Sequence, residues 1–226
     1  MRSCCLQRRK MHLDIQQNTP EWLDMRSGKV TGSAIAKVMA NGLGAFGEPA
    51  KKLAINIAVE RITGQRITTN DYKNAHMERG HEEEPIAREL YEDKYFVEVT
   101  NGGFYNNGRM GCSPDGLVGE DGLIEIKSVI ATTHYANVER GGVDPAYKWQ
   151  CYFNLNESGR DWIDFVSYCS SYPESTNLYV YRIYKTEIVE ELEIMERRLE
   201  DFEKLVEEKM INISGKISQN KLNGVI

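Results

Sequence analysis

An α/β fold, with a mixed central β-sheet flanked by α-helices, is what the hydrophobic pattern of this chain predicts. Apolar residues recur at helical spacing as far as Tyr95, the period then falls from about 3.6 to about 2, and helical spacing returns after Ser128. Asn-Gly and Asp-Gly dipeptides punctuate the middle stretch, and these are the strongest local hairpin signals. A length of 226 residues, 41% of them hydrophobic and 27% charged, suits one well-filled domain.

The elements follow in order. Residues 1–11 are polar, end at a second methionine and read as a disordered extension, which leaves 12–226 as the folded domain. From Thr19, the run T-P-E-W-L-D-M-R supplies an N-cap, a proline at the first helical position and an acid in the first turn, so a short helix ends at Arg26. Ser33 is placed to cap the next helix, within 30–39. After a Gly-rich loop, a helix over 50–63 turns Leu53, Ile55, Ile57, Ala58 and Ile62 inward and stops at Gly64. A helix over 74–95 offers Ile86, Ala87, Leu90 and Tyr91 to a core. Short strands are expected at 96–100, 103–106, 111–113 and 123–128, helices at 131–139 and 146–155, and strands at 162–170 and 177–185. A long charged helix over 187–210 closes the chain, its stripe of Leu192, Met195, Leu199, Phe202, Leu205 and Val206 covering the sheet or a neighbouring subunit.

Composition excludes some classes. No stretch approaches the roughly 18 to 20 uninterrupted apolar residues of a membrane span, and the N-terminus has no apolar signal region, so a cytoplasmic location is expected. The five cysteines (Cys4, Cys5, Cys112, Cys151, Cys169) contain no CxxC pair and suit reduced thiols. They also lack the spaced quartet of an iron–sulfur site. A net charge of −6 is unusual for a polyanion binder, but the acids gather at 82–84 and along 187–208, which leaves room for a local basic track.

Chemistry concentrates in Cys112-Ser113-Pro114-Asp115-Gly116-Leu117 and Leu123-Ile124-Glu125-Ile126-Lys127, with nine residues between Asp115 and Glu125. Strand alternation puts Leu123, Glu125 and Lys127 on one face and Ile124 and Ile126 on the other. An acid and a lysine inside an apolar strand are costly to bury unless paired or engaged by a cation. The Asp121-Gly122 turn folds this strand back on the segment of Asp115, so two carboxylates and an ammonium meet. Such an oxygen site suits Mg²⁺, with Mn²⁺ as a substitute, and the chemistry it serves is phosphodiester hydrolysis. The bland alternative for a bare E-x-K is a surface salt bridge, which the apolar flanks and the preceding Pro-Asp-Gly disfavour. His76, His81 and His134 have no partner at metal-ligand spacing and read as surface or structural residues; Trp22, Trp149 and Trp162 read as core.

These residues resemble the active-site motif of the PD-(D/E)xK nucleases, and C-S-P-D-G-L with L-I-E-I-K resembles the lambda exonuclease (YqaJ-like viral recombinase) family among them. Trp22 to Gly28 with Val30-Thr31-Gly32-Ser33 is similar to that family's W-x-x-x-R-x-G-x-x-T-x-S signature, Gly80 to Ala87 to its G-x-x-x-E-x-x-A helix, and Tyr147-Lys148-Trp149-Gln150 to its tyrosine and glutamine motif. The resemblance spans residues 19–185 in order. It implies a restriction-endonuclease-like core. It also implies Glu84 as a third metal ligand with Asp115, Glu125 and the Ile126 carbonyl, although a solvated face is the ordinary reading of a three-glutamate run. Lys127 and Gln150 would position the attacking water or a phosphate. Arg26, Ser33 and Ser113, with Tyr147 beside them, would bind a 5′ phosphate, and a guanidinium fork suits that role. Where the family often has a second glutamine, this chain has Tyr152.

The activity so implied is 5′-to-3′ digestion of linear double-stranded DNA, leaving 3′ overhangs for phage-type recombination. A homotrimer, a single-strand annealing partner and a phage or prophage gene in a bacterial host are implied with it. A PD-(D/E)xK endonuclease of restriction or repair type and a catalytically silent DNA-binding module are the alternatives.

Overall fold

The computed structural model describes residues 11–67 and 75–222, with side chains described at 11–67 and 79–215. The first elements are β1 (Met11–Leu13), α1 (Pro20–Arg26), β2 (Val30–Thr31), α2 (Ile35–Met39), α3 (Glu48–Thr63) and α4 (Ala75–Tyr95). A run of strands follows: β3 (Val99–Asn101), β4 (Phe104–Asn107), β5 (Met110–Cys112), β6 (Gly116–Val118) and β7 (Gly122–Ser128). Then come α5 (Ala131–Arg140), α6 (Lys148–Ser158), β8 (Trp162–Tyr168), β9 (Leu178–Tyr184) and α7 (Val189–Leu222). The α/β class is as the sequence predicts. Met11, assigned to the disordered extension, instead pairs with Asn106; the other ten residues of that extension lie outside the described residues.

The expected single sheet is two. The larger runs β3-β6-β7-β8-β9 and is mixed, with β7 and β8 parallel over their whole length and the other pairs antiparallel. The smaller runs β1-β4-β5-β2. The break falls between β3 and β4, read from the sequence as neighbouring strands joined by a tight turn. A Cβ at Gly102 would stand 1.8 Å from the Pro114 carbonyl oxygen, so the backbone passes there too closely for any other residue and leaves for the second sheet.

The cores lie on opposite faces of the large sheet. Leu117, Leu123, Ile163, Phe165 and Ile183 face a cluster with the buried residues of α2, α3, α6 and α7, whereas Ile124, Ile126 and Val166 pack under Ala87 and Tyr91 of α4. Three apolar positions expected inward, Ile55, Ile62 and Ile86, are instead 44%, 37% and 47% exposed. On α3 the small Ala50, Ala54 and Ala58 take the buried stripe, because α7 packs close against it. So α7 packs chiefly on α3, and its stripe closes the core on that face of the sheet. Its Glu203 accepts both arms of Arg61, at 2.8 and 3.0 Å, while Arg61 Nε donates to the Gly28 carbonyl at 2.7 Å. That network pins the turn just after Arg26. Tyr91 of α4 donates to the buried Asp164 of β8 at 2.7 Å, which fastens α4 to the sheet.

Candidate active site

The site grows from the hairpin of β6 and β7. Gly116 pairs with Ile124, and the Asp115 N–H donates to the Ile124 carbonyl at 3.1 Å, so the next step of the ladder sets Asp115 beside Glu125. β6 was not foreseen as a strand: three residues with a glycine first carry little periodicity. The reversal itself is at Gly119 (φ 56), and Gly122 already belongs to β7 beneath the Trp162 ring. Asp115 Oδ2 accepts the Ile126 N–H at 2.7 Å, which orients the carboxylate along β7.

Glu125 is 0% exposed yet fully engaged. Its Oε1 accepts from Lys127 Nζ at 2.5 Å and from the Gln150 side-chain amide, and its Oε2 accepts from Asn154 Nδ2 at 2.8 Å. Gln150 and Asn154 are one turn apart on α6, so that helix presents two amides to one carboxylate. Burial alone would pull the Lys127 ammonium down, but Glu125 and Asp115 outweigh it and hold Lys127 above its ordinary value.

Glu84 reaches the same place from α4. Of the three consecutive glutamates, Glu82 is exposed and Glu83 accepts from Ser128 and Ser170, while Glu84 faces the cleft. Arg88, one turn on, lies 3.9 Å from Glu84 Oε1 and also donates to the Asp115 carbonyl. Burial, then the charge of Asp115, push Glu84 up to about 7 against the opposing Arg88 and Lys127. The same two causes push Glu125 up to about 8.

Crowded carboxylates held toward neutrality, with oxygen donors only, fit a hard divalent cation. Glu84, Asp115, Glu125 and the Ile126 carbonyl could hold one. Among the described residues no three His, Cys, Asp or Glu side chains already converge on a point, since Glu125 is turned to its amide and lysine donors and Asp115 to the backbone. That arrangement suits Mg²⁺ retaining several waters better than a closed cage.

Across the cleft stands Arg26, the last residue of α1. Burial pushes its guanidinium down to about 10, and no carboxylate among the described residues offsets that. Its Nη2 donates to Ser33 Oγ at 2.9 Å, and Thr31 Oγ1 lies 3.4 Å away. Ser33 therefore does not cap a helix as expected: α2 starts two residues later, from Ala34, with no side-chain cap. Trp22 lies beneath Arg26 and donates to Ser113. Tyr147, the N-cap of α6, stacks on Phe165 and sits 5.1 Å below Lys127 Nζ.

One cleft of about 620 Å³ is lined by Arg26, Ser33, Glu84, Ser113, Asp115, Ile126, Lys127, Tyr147 and Gln150 together, with Glu125 buried behind them. Sequence reasoning missed Arg88, Asn154 and Arg79, whose Nε donates to Ser128 Oγ at 3.1 Å on the cleft wall. The first two had a signal, since each stands four residues beyond a chosen site residue on the same helix. Trp22 was taken for core alone but also lines the cleft; His81, read as surface or structural, is exposed at the cleft rim. His134 is structural, bonded to Ser167 and Thr176, and Tyr152 is buried against Trp149 away from the cleft; the side chain of His76 lies outside the described residues.

The model of the YqaJ-like viral recombinase domain matches residues 21–161, which holds every site residue above. The chain belongs to the YqaJ-like viral recombinase family. Its fold agrees with that of the alkaline exonuclease LHK-Exo from Laribacter hongkongensis at 32% identity and a TM-score of 0.76, covering 89% of this chain and 99% of that one. LHK-Exo in complex with dAMP matches at 32% identity and a TM-score of 0.73, covering 88% of this chain and 100% of that one. A phage-related exonuclease from Haemophilus somnus 129PT shares the fold at 15% identity and a TM-score of 0.60, covering 82% of this chain and 96% of that one. Comparison with curated protein sequences returned no match. This YqaJ-like recombinase is thus a nuclease of the lambda exonuclease type. None of its described helices is long and apolar enough to cross a membrane.

Proposed function

We propose that this YqaJ-like recombinase is a Mg²⁺-dependent exonuclease that digests one strand of linear double-stranded DNA from its 5′ end and leaves a 3′ overhang for recombination. The observation that carries the reading is a cation on the carboxylate cleft without a counter-anion among the described residues. Arg26, ringed by the hydroxyls of Thr31 and Ser33, lines the same cleft as Glu84, Asp115 and Lys127. A half-buried guanidinium left unneutralised is an anion site, and a terminal phosphate held there sets the neighbouring phosphodiester over the carboxylates.

Mg²⁺ bound by Glu84, Asp115, Glu125 and the Ile126 carbonyl would polarise the scissile phosphate and lower the pKa of a bound water. Lys127, held charged by Glu125, orients that water and steadies the charge that develops on the phosphate. Gln150 and Asn154 keep Glu125 aimed. Arg26, Ser33 and Ser113 grip the terminal phosphate, with Tyr147 packing behind the lysine. LHK-Exo is a 32% identical relative whose complex holds dAMP, a mononucleotide of the kind such digestion releases.

A ring-shaped homotrimer and a single-strand annealing partner belong to the same proposal, as does a bacterial cytoplasm as the place of action. The decisive assay uses linear duplexes labelled at either end, with and without a 5′ phosphate, beside closed circular DNA. Mononucleotides released from the 5′-labelled end, and intact circles, are expected. Nicking of the circles would turn the reading to an endonuclease, and binding without any cleavage to a silent module.

A further inference from the structure

We infer that Trp22 is a positioning residue that presets the Arg26–Ser113 pocket as a donor-only cradle, and so makes end recognition depend on a terminal phosphate monoester. The inference rests on the proposed reading of Arg26 as the phosphate anchor. Trp22 is 8% exposed and touches both walls of the pocket. Its ring lies 4.1 Å below the Arg26 guanidinium, and its indole Nε1–H donates to Ser113 Oγ at 2.7 Å.

Each contact has a consequence for charge. A half-buried arginine is ordinarily held by a carboxylate, which neutralises it; an aromatic face holds the guanidinium while leaving its charge available. Indole nitrogen is a donor only, so Ser113 must accept from it and keeps its own hydrogen to give. Ser33 likewise accepts from Arg26, and its hydrogen is free for Thr31, 3.4 Å away, or for a ligand. The pocket therefore offers hydrogens and positive charge. A phosphate monoester, which at neutral pH brings negative charge and several accepting oxygens, engages all of them; a neutral 5′ hydroxyl, with one oxygen and no charge, engages few.

Trp22 also spans two parts of the site. Arg26 ends α1, whereas Ser113 lies two residues before Asp115, so the indole ties the end-binding wall to the segment between β5 and β6 that carries Asp115. Gln17 adds a second tie, its Nε2 donating to the Pro114 carbonyl at 2.9 Å.

The test compares wild type, Trp22→Phe and Trp22→Leu on duplexes that differ only in a 5′ phosphate or 5′ hydroxyl. Two ratios are read: the initial rates of digestion, and the binding constants in chelator by fluorescence anisotropy. Trp22→Phe keeps a ring under Arg26 and loses the donor that orients Ser113, and is expected to cut both ratios about tenfold, the loss of the hydrogen bond that Ser113 gives to the charged phosphate. Trp22→Leu loses both contacts and should bring the ratios close to one. Adding Ser113→Ala to Trp22→Phe should cost little more, because the two act through one bond. Thermal unfolding shows which variants are folded, and if Trp22→Leu fails, Trp22→Phe decides. Unchanged ratios in folded Trp22→Phe overturn the inference. A wild type indifferent to the 5′ phosphate overturns the phosphate reading of Arg26 first, and this inference with it.

Discussion

Lys127 and Glu125, two residues apart on β7, close a 2.5 Å contact with one partner wholly buried and the other facing the cleft. The pair therefore joins the interior to the reacting space: the carboxylate is fixed from behind by Gln150 and Asn154, and the ammonium inherits that fixity. Replacing Lys127 with Ala removes the one group of the pair that can reach a water. Cleavage is expected to fall by about 10² to 10³-fold, the range for losing one donor that stabilises developing charge. Binding of DNA ends in chelator, measured by anisotropy, should change little. Cleavage at the wild-type rate would remove Lys127 from the chemistry.

The carboxylates make a prediction about stability. Glu84 stands near 7 and Glu125 near 8 in the folded chain, both above the usual carboxylate range, so the folded state binds protons more tightly than the unfolded one. The sign follows: stability is highest where both are protonated and declines as pH rises from the unfolded value of about 4.3 through the folded ones. A divalent cation offsets the repulsion. In chelator the Tm should be lower at about pH 8.5 than at about pH 6, and Mg²⁺ should raise it more at the higher pH. Glu84→Gln should flatten the slope in chelator. A Tm independent of pH and of Mg²⁺ would contradict the crowding.

Legibility in the sequence followed burial and spacing. The faces of 123–128 were readable because both sides of β7 are packed, so that Glu125 and Lys127 stand out at alternate positions of an otherwise apolar strand, and the faces are those observed. Glu84 could be picked from three glutamates only by its distance from Gly80; in the fold its neighbour Glu83 is occupied by two serines. The split into two sheets was not readable, since it depends on a close pass of Gly102 against Pro114, residues far apart in local pattern. Nor was the role of Ser33. A serine ahead of an apolar run signals a cap, but Arg26, seven residues earlier, takes its hydroxyl.

Arg88 shows how a residue outside the cleft lining can govern it. It binds the Asp115 carbonyl and lies beside Glu84, so it sets the spacing of two carboxylates and opposes the rise of Glu84. Arg88→Met should weaken Mn²⁺ binding, followed by calorimetry without DNA, by about 10 to 100-fold, as for other partners that orient metal ligands. Much of the rate should return at high Mg²⁺. Arg88→Lys keeps the charge but not the fork and should fall between. An unaltered Mn²⁺ affinity in folded Arg88→Met would leave Arg88 a merely structural residue.

Gly32 tests the hold on Glu125 from a distance. A Cβ there would stand 2.5 Å from Asn154 Oδ1, an atom without a hydrogen-bond partner among the described residues and pressed against the glycine instead. Asn154 is 0% exposed, and its amide is committed to Glu125 Oε2 at 2.8 Å, so it cannot yield without releasing the carboxylate. Gly32→Ala is therefore expected to cost about 1–3 kcal/mol of stability, the usual range for overpacking, and to lower kcat about tenfold or more. Combining it with Asn154→Ser removes the clash but not the lost hold, so Tm should recover while kcat stays low. Recovery of both would mean that Asn154 only fills space, and a harmless Gly32→Ala would mean that the glycine is not needed for the approach.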